Sequence, residues 1–292
     1  LALENNIPLQ ELQEQLLNEQ EVMSNENIEK SKEARILIVE DNDSLREMLV
    51  KIFESFYVVS TAANGREGWE KIQSEQPAIV LSDVVMPEMS GTELCKLIKE
   101  NIETCHIPVV LLTARTAIEH NLEGLRLGAD DYITKPFNIN ILLSRCNNLV
   151  NNRIILQEKF SKQPQATPQI LATNAMDKEL VDRAMKVIES HIDNVEFNVD
   201  ILARETGIAR TKLFTKLKAI TGQTPYEFIL TIRLKRAAIM LKENPELNIS
   251  EISDRLGFSS PRQFSKCFKE KYRVVPQTYR KGENADNEEE EE

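Results

Sequence analysis

Between Arg35 and Ile154 the chain switches repeatedly between two hydrophobic periods. Five short runs, "RILIVE", "YVVSTA", "AIVLSD", "IPVVLLTA" and "DYITKPF", are continuously apolar or nearly so. That pattern suits strands covered on both faces, which need apolar residues on each side. Between them "SLREMLVKIFE", "GREGWEKIQ", "GTELCKLIKEN", "AIEHNLEGLRLG" and "INILLSRCNNLVNNRI" repeat apolar residues three and four apart. Such spacing builds helices with one buried stripe. Five strands alternating with five helices predict an α/β domain over 34–153: a five-stranded parallel sheet with helices on both faces. Right-handed crossovers then gather every strand's carboxyl end at one edge of the sheet.

The alternation stops outside this domain. Residues 1–33 are rich in Glu, Gln and Asn, and the Leu9, Leu12 and Leu16 stripe supports a short linker helix at most. Residues 154–177 gather Gln, Pro, Ser and Thr and read as an interdomain linker. From 178 to 282 only helical periods occur, so a second, all-α domain is expected. It contains an imperfect repeat, with "ILARETGIARTKLFTKLKAITGQTPYEFI" matching "EISDRLGFSSPRQFSKCFKEKYRVVPQTYR". Gly207 aligns with Gly257; after one extra residue in the second turn, Leu213, Leu217, Pro225 and Phe228 align with Phe264, Phe268, Pro276 and Tyr279. Helix, glycine-containing turn and helix, twice over, predict two helix-turn-helix units. Residues 283–292 form an acidic tail, expected to be disordered.

Composition narrows the class. The chain has 292 residues, 41% hydrophobic and 28% charged, as expected for a soluble two-domain protein. No run of about 18 apolar residues is present and no charged-then-apolar leader opens the chain, so a cytoplasmic location without membrane contact is expected. The start at Leu1 rather than Met suggests a piece of a longer polypeptide. Four scattered cysteines and three histidines offer no metal-ligand spacing. The net charge of −11 is uneven: residues 176–282 carry 20 Lys and Arg against 14 Asp and Glu, a balance of +6, so the remainder stands at −17. A basic segment in an acidic chain suits one domain that meets a polyanion.

The chemistry concentrates at strand ends. "IVLSDVVMPEMSG" runs apolar residues into one carboxylate, Asp83, before a turn. An acid there could simply cap the turn. The other strand ends, however, supply Glu40 and Asp41, Thr113, and Lys135-Pro136, which the predicted sheet gathers at one edge. Three clustered carboxylates repel one another, and a hard divalent cation such as Mg²⁺ relieves them. A carboxylate nucleophile, a metal, an ammonium and a hydroxyl together suit phosphoryl transfer.

With "ILIVEDND", "IVLSDVVMPEMSG", "VVLLTA" and "GADDYITKPF" in place, residues 35–152 resemble the receiver domain of two-component response regulators, a flavodoxin-like fold. The resemblance implies that Asp83 accepts a phosphoryl group from a histidine kinase. It implies Mg²⁺ held by Glu40, Asp41, Asp83 and the Val85 carbonyl, with Thr113 and Lys135 on the phosphoryl oxygens. It further implies a cis Lys135-Pro136 bond and Tyr132 as the switch aromatic. Glu40 stands where Asp is commoner, and its longer reach is compatible with metal binding.

Residues 178–281 resemble the AraC/XylS-type DNA-binding domain, on "ITGQTPYEFI" and "GFSSPRQFSKCFKEKY…VPQTYR". That family joins two helix-turn-helix units by a long helix, here about 224–243, and places recognition helices in successive major grooves of double-stranded DNA. Arg210, Thr211, Lys212 and Thr215 are expected to face DNA in the first unit, and Arg262, Gln263, Ser265 and Lys266 in the second. Arg and Lys suit guanine edges or phosphate, and Gln suits adenine. Leu213, Leu217, Phe264 and Phe268 keep the spacing of a core, and Arg273 replaces the usual Gly of the terminal turn. Receiver plus AraC-type module resembles the C-terminal part of hybrid two-component systems, whose single polypeptide also carries a sensor and histidine kinase. The expected function is a phosphorylation-controlled transcription regulator, not itself an enzyme, that forms a homodimer on phosphorylation. A haloacid-dehalogenase-type hydrolase needs an acid two residues after the nucleophile, where Val85 stands. A receiver reduced to a phosphorylation-independent dimer scaffold would not require the complete Glu40, Asp41, Asp83, Thr113 and Lys135 set.

Overall fold

The computed structural model describes residues 34–114 and 128–282. The stripe at Leu9–Leu16, the helix predicted over 117–128 (Gly128 apart) and the acidic tail lie outside the described residues. The chain divides into two compact units, Leu1–Arg153 and Ile154–Glu292.

The first unit holds β1 (Arg35–Val39), α1 (Asp43–Phe53), β2 (Val58–Ala62), α2 (Gly65–Glu75), β3 (Ile79–Asp83), α3 (Gly91–Glu100), β4 (Val109–Ala114) and β5 (Asp131–Lys135). The strands form one sheet in the order β2-β1-β3-β4-β5, and every pairing is parallel. Leu37, Val39, Val80, Val109 and Leu111 pack against Ile72 of α2 and Leu94, Cys95 and Ile98 of α3. Their neighbours Ile36, Ile38, Leu81, Val110 and Leu112 point to the opposite face and are buried as completely. Helices therefore flank the sheet, which explains why its strands read as unbroken apolar runs. Asn42, Asn64 and Ser90 cap α1, α2 and α3 through their side chains, so each strand-to-helix turn ends in a fixed geometry.

The second unit is helical. The helix α4 (Ile139–Lys162) enters it after residue 153, followed by a 3₁₀ turn (Pro168–Leu171) and α5 (Ala175–Ser190). Then come α6 (Val199–Thr206), α7 (Arg210–Thr221), α8 (Pro225–Glu243), α9 (Ile249–Arg255), α10 (Pro261–Tyr272) and α11 (Pro276–Lys281). The stretch expected to be a polar linker, 154–177, is instead folded. Phe160 and Leu171 are buried in one core with Leu180, Leu213, Leu217 and Phe228. The Gln157 amide donates to the carbonyls of Ala219 (3.3 Å) and Ile220 (3.0 Å). The Lys235 ammonium donates to the carbonyls of Gln163 and Ala166, the latter at 2.9 Å, and lies 4.5 Å from the centre of the Phe160 ring. Phe160 and Leu171, with Leu156 and Ile170 packed against the same core, and a lysine from α8 order a segment rich in Gln, Pro, Ser and Thr.

Candidate functional site

The order β2-β1-β3 makes the chain reverse direction of travel at β1, so a crevice opens beyond the carboxyl ends of β1 and β3. Glu40 directly follows β1 and is buried; Asp83 ends β3 with its side chain 14% exposed. Asp41 is exposed beside them, and one carboxylate oxygen from each of the three lies within 4.8 Å of the others. From the end of β5, the Lys135 ammonium reaches both Asp83 Oδ2 and Glu40 Oε2 at 2.9 Å. The Lys135-Pro136 bond is cis, as expected. Thr113, the second-to-last residue of β4, is buried and its hydroxyl donates to the Ala114 carbonyl at 3.3 Å.

Burial pushes the Glu40 carboxyl above the ordinary carboxylate range, Lys135 pulls it back, and Asp83 adds to the rise. For Lys135, burial works downward but its hydrogen bonds to Asp83 and Glu40 prevail, holding the ammonium above the ordinary lysine range. Among the described residues, three carboxylates against this one ammonium leave two negative charges in the crevice unbalanced. Clustered oxygen donors with that residual charge fit a hard divalent cation. Asp83 Oδ1 accepts the Val84 N–H at 2.7 Å, which fixes the carboxylate plane. Val85, two residues after Asp83, is 71% exposed, and Tyr132 is half-buried against the sheet's core.

In the second unit, each helix pair turns through a glycine in the left-handed region, Gly207 (φ 70°) and Gly257 (φ 64°). Leu213 and Leu217 of α7, and Phe264 and Phe268 of α10, are fully buried, so the remaining faces of both helices are presented outward. Arg210, Thr211, Lys212, Thr215, Arg262, Gln263 and Lys266 are exposed, while Ser265 is half-buried. Arg210 is held by Asp200 at 2.8 Å. Gln263 Oε1 accepts the backbone N–H (3.0 Å) and hydroxyl (2.7 Å) of Ser259, which leaves its amide hydrogens as the free edge.

Against this geometry stand two matches to known families. The model of the response regulator receiver domain matches residues 36–147, and that of a helix-turn-helix domain matches 202–282. This chain belongs to the response regulators. Histidine kinase P4 of Formosa agariphila is 44% identical over 252 residues, 86% of this regulator and 18% of that protein. Response regulator MprA of Mycobacterium ulcerans is 30% identical over 52% of this chain and 66% of its own length. The crystal structure of a signal receiver domain of a signal transduction histidine kinase from Syntrophus aciditrophicus is 37% identical, covering 41% of this chain and 92% of that one with a TM-score of 0.40. The regulator thus spans less than a fifth of the first relative's length.

The structure of the regulator also brings in residues that its sequence does not mark. Arg46 of α1 donates to the Glu40 carbonyl at 2.7 Å and pairs with Asp43, fixing the backbone that carries Glu40 and Asp41. Ser82 Oγ donates to the Asp83 carbonyl at 2.9 Å. Gly91 lies so close that a Cβ there would sit 1.9 Å from that same carbonyl oxygen. In the DNA-binding unit, Lys216 of α7 forms a buried ion pair with Asp177 of α5 at 2.7 Å.

Proposed function

We propose that this response regulator is a phosphorylation-controlled, sequence-specific transcription regulator whose phosphoryl acceptor is Asp83. The carrying observation is the crevice itself, where one ammonium bridges Asp83 and Glu40 at 2.9 Å amid three carboxylates. Glu40, Asp41, Asp83 and the Val85 carbonyl would hold Mg²⁺, which supplies charge neutralisation for the approaching anion. Asp83 attacks the phosphorus of a phosphohistidine on a histidine kinase; the N–P bond breaks, an O–P bond forms, and the departing imidazole takes up a proton. Lys135 is positioned to accept the charge that develops on the phosphoryl oxygens, and Thr113 to donate to them. Thr113 then turns toward the new group and Tyr132 moves inward, which shifts a two-state receiver by the differential free energy the phosphate supplies.

On this reading two phosphorylated receivers pair, and the homodimer places two DNA-binding units on adjacent sites, raising affinity through effective concentration. Arg210, Thr211, Lys212, Thr215, Arg262, Gln263, Ser265 and Lys266 form the DNA-facing surface. The likeness over 18% of a histidine kinase supports reading the chain as one portion of a hybrid polypeptide that carries its own kinase. The test of the acceptor is labelling by acetyl phosphate. Labelling should require Mg²⁺ and vanish in Asp83→Asn, and equal labelling of that variant, or indifference to chelator, would end the assignment. Binding to DNA should weaken with salt by a log–log slope of roughly −0.9 per phosphate contact.

A further inference from the structure

In α7 one large apolar side chain faces the wrong way for a core. Phe214 is 43% exposed, while Leu213, Leu217 and Ile220 of the same helix are fully buried. It lies one turn from Thr211 and one turn from Lys218, both exposed, on a surface that is otherwise polar and basic. Single exposed apolar residues are ordinary on protein surfaces. The repeat gives this one a context. The offset of 51 that superposes Leu213 on Phe264 places Phe214 at the position of Ser265, a residue of the DNA-facing set in the second unit.

We propose that Phe214 is a specificity-determining residue that contacts a thymine 5-methyl group in the major groove. This deepens the DNA-binding reading above and rests on it. A phenyl ring offers no donor or acceptor, so among base edges in the major groove only the thymine methyl gives it an apolar partner. Thr211 and Lys218 on either side suit phosphate or base-edge acceptors and would hold the helix in register. With Phe in one recognition helix and Ser at the matching place in the other, the two units read different half-sites, so a single copy of the chain recognises an asymmetric sequence.

The test starts by selecting bound duplexes from a random pool with the full chain, then replaces each thymine of the selected site by uracil, which removes only the methyl. In the half read by the first unit, one uracil should weaken wild-type binding about fourfold, the equivalent of about 0.8 kcal/mol for one buried methyl-sized group. Phe214→Ala should lose a similar factor on the thymine duplex and be indifferent to that uracil, whereas Phe214→Leu should keep part of the discrimination. A flat uracil scan with specific binding intact would overturn the contact while sparing the DNA-binding reading. Tighter binding by Phe214→Ala would also overturn it, by showing that the ring obstructs the helix. If no sequence is enriched at all, the DNA-binding reading falls, and this inference with it.

Discussion

Removing Asp177 should destabilise the DNA-binding unit more than any surface change. Its carboxylate meets the Lys216 ammonium at 2.7 Å, with the two side chains only 1% and 3% exposed. Breaking a buried pair by deleting one partner typically costs about 3–5 kcal/mol, because the other charge stays in a dry site. Asp177→Ala also strips the Asn174 amide of its acceptor at 2.8 Å in the first turn of α5, which places it at the upper end of that range. Lys216→Met should cost less, since the carboxylate keeps the Asn174 amide and the positive end of the α5 dipole. Asp177→Leu combined with Lys216→Met, which buries no charge, should recover most of the loss. Urea unfolding distinguishes the units: the single tryptophan, Trp69, packs on the receiver core, while circular dichroism reports helices in both. With a slope of about 2 kcal/mol per molar urea, a 4 kcal/mol loss moves the helical midpoint by about 2 M and leaves the Trp69 transition in place. A shift under about 0.5 M, or one shared by Trp69, would show that the Asp177–Lys216 pair does not hold the second unit together.

Three further outcomes are expected. Gly91→Ala should destabilise the receiver by about 3 kcal/mol in the Trp69 unfolding transition and depress labelling of Asp83, because its Cβ would stand 1.9 Å from the Asp83 carbonyl oxygen. Arg273, at φ 66°, occupies the left-handed position that Gly222 (φ 71°) fills in the first helix-turn-helix unit, so Arg273→Gly should stabilise the second unit by about 1 kcal/mol in the helical transition. Burial, with Lys271 adding, pushes the Lys235 ammonium down to about 8, against an ordinary value near 10.5. The folded state therefore binds fewer protons than the unfolded chain between those values, so this group makes stability rise as pH climbs from 8 toward 10. Lys235→Met should flatten that rise in the urea midpoint, and an unchanged slope would contradict the assignment.

The sheet was legible because burial on both faces leaves strands such as Val109–Leu112 no polar positions. The acid crevice was legible because its parts sit at strand ends, where topology alone brings Glu40, Asp83 and Lys135 together. Legibility failed where single residues act at long range. Residues 154–177 mix Ile154, Ile155, Leu156, Phe160, Ile170 and Leu171 with Gln, Ser, Thr and Pro and lose the alternation of the preceding domain; the core partners of Phe160 and Leu171 arrive from α5, α7 and α8. Phe214 hides for the opposite reason: adjacent to Leu213 and one turn from Leu217, it merges with the buried stripe until its exposure is known. The Arg210–Asp200 pair and the capture of Gln263 Oε1 by Ser259 are likewise invisible in residue type. On the DNA-binding reading proposed above, Gln263 held in this way would offer donors, which suit acceptors such as guanine O6 and N7.

The most direct test of the whole account is DNA affinity with and without acetyl phosphate and Mg²⁺, on a duplex bearing two tandem sites and on one bearing a single site. Phosphorylation should tighten binding by the wild-type chain on the tandem duplex alone, and Asp83→Asn should bind both duplexes at the unphosphorylated level throughout. Equal tightening on the single site would contradict control through paired receivers, and tightening that persists in Asp83→Asn would contradict control through Asp83.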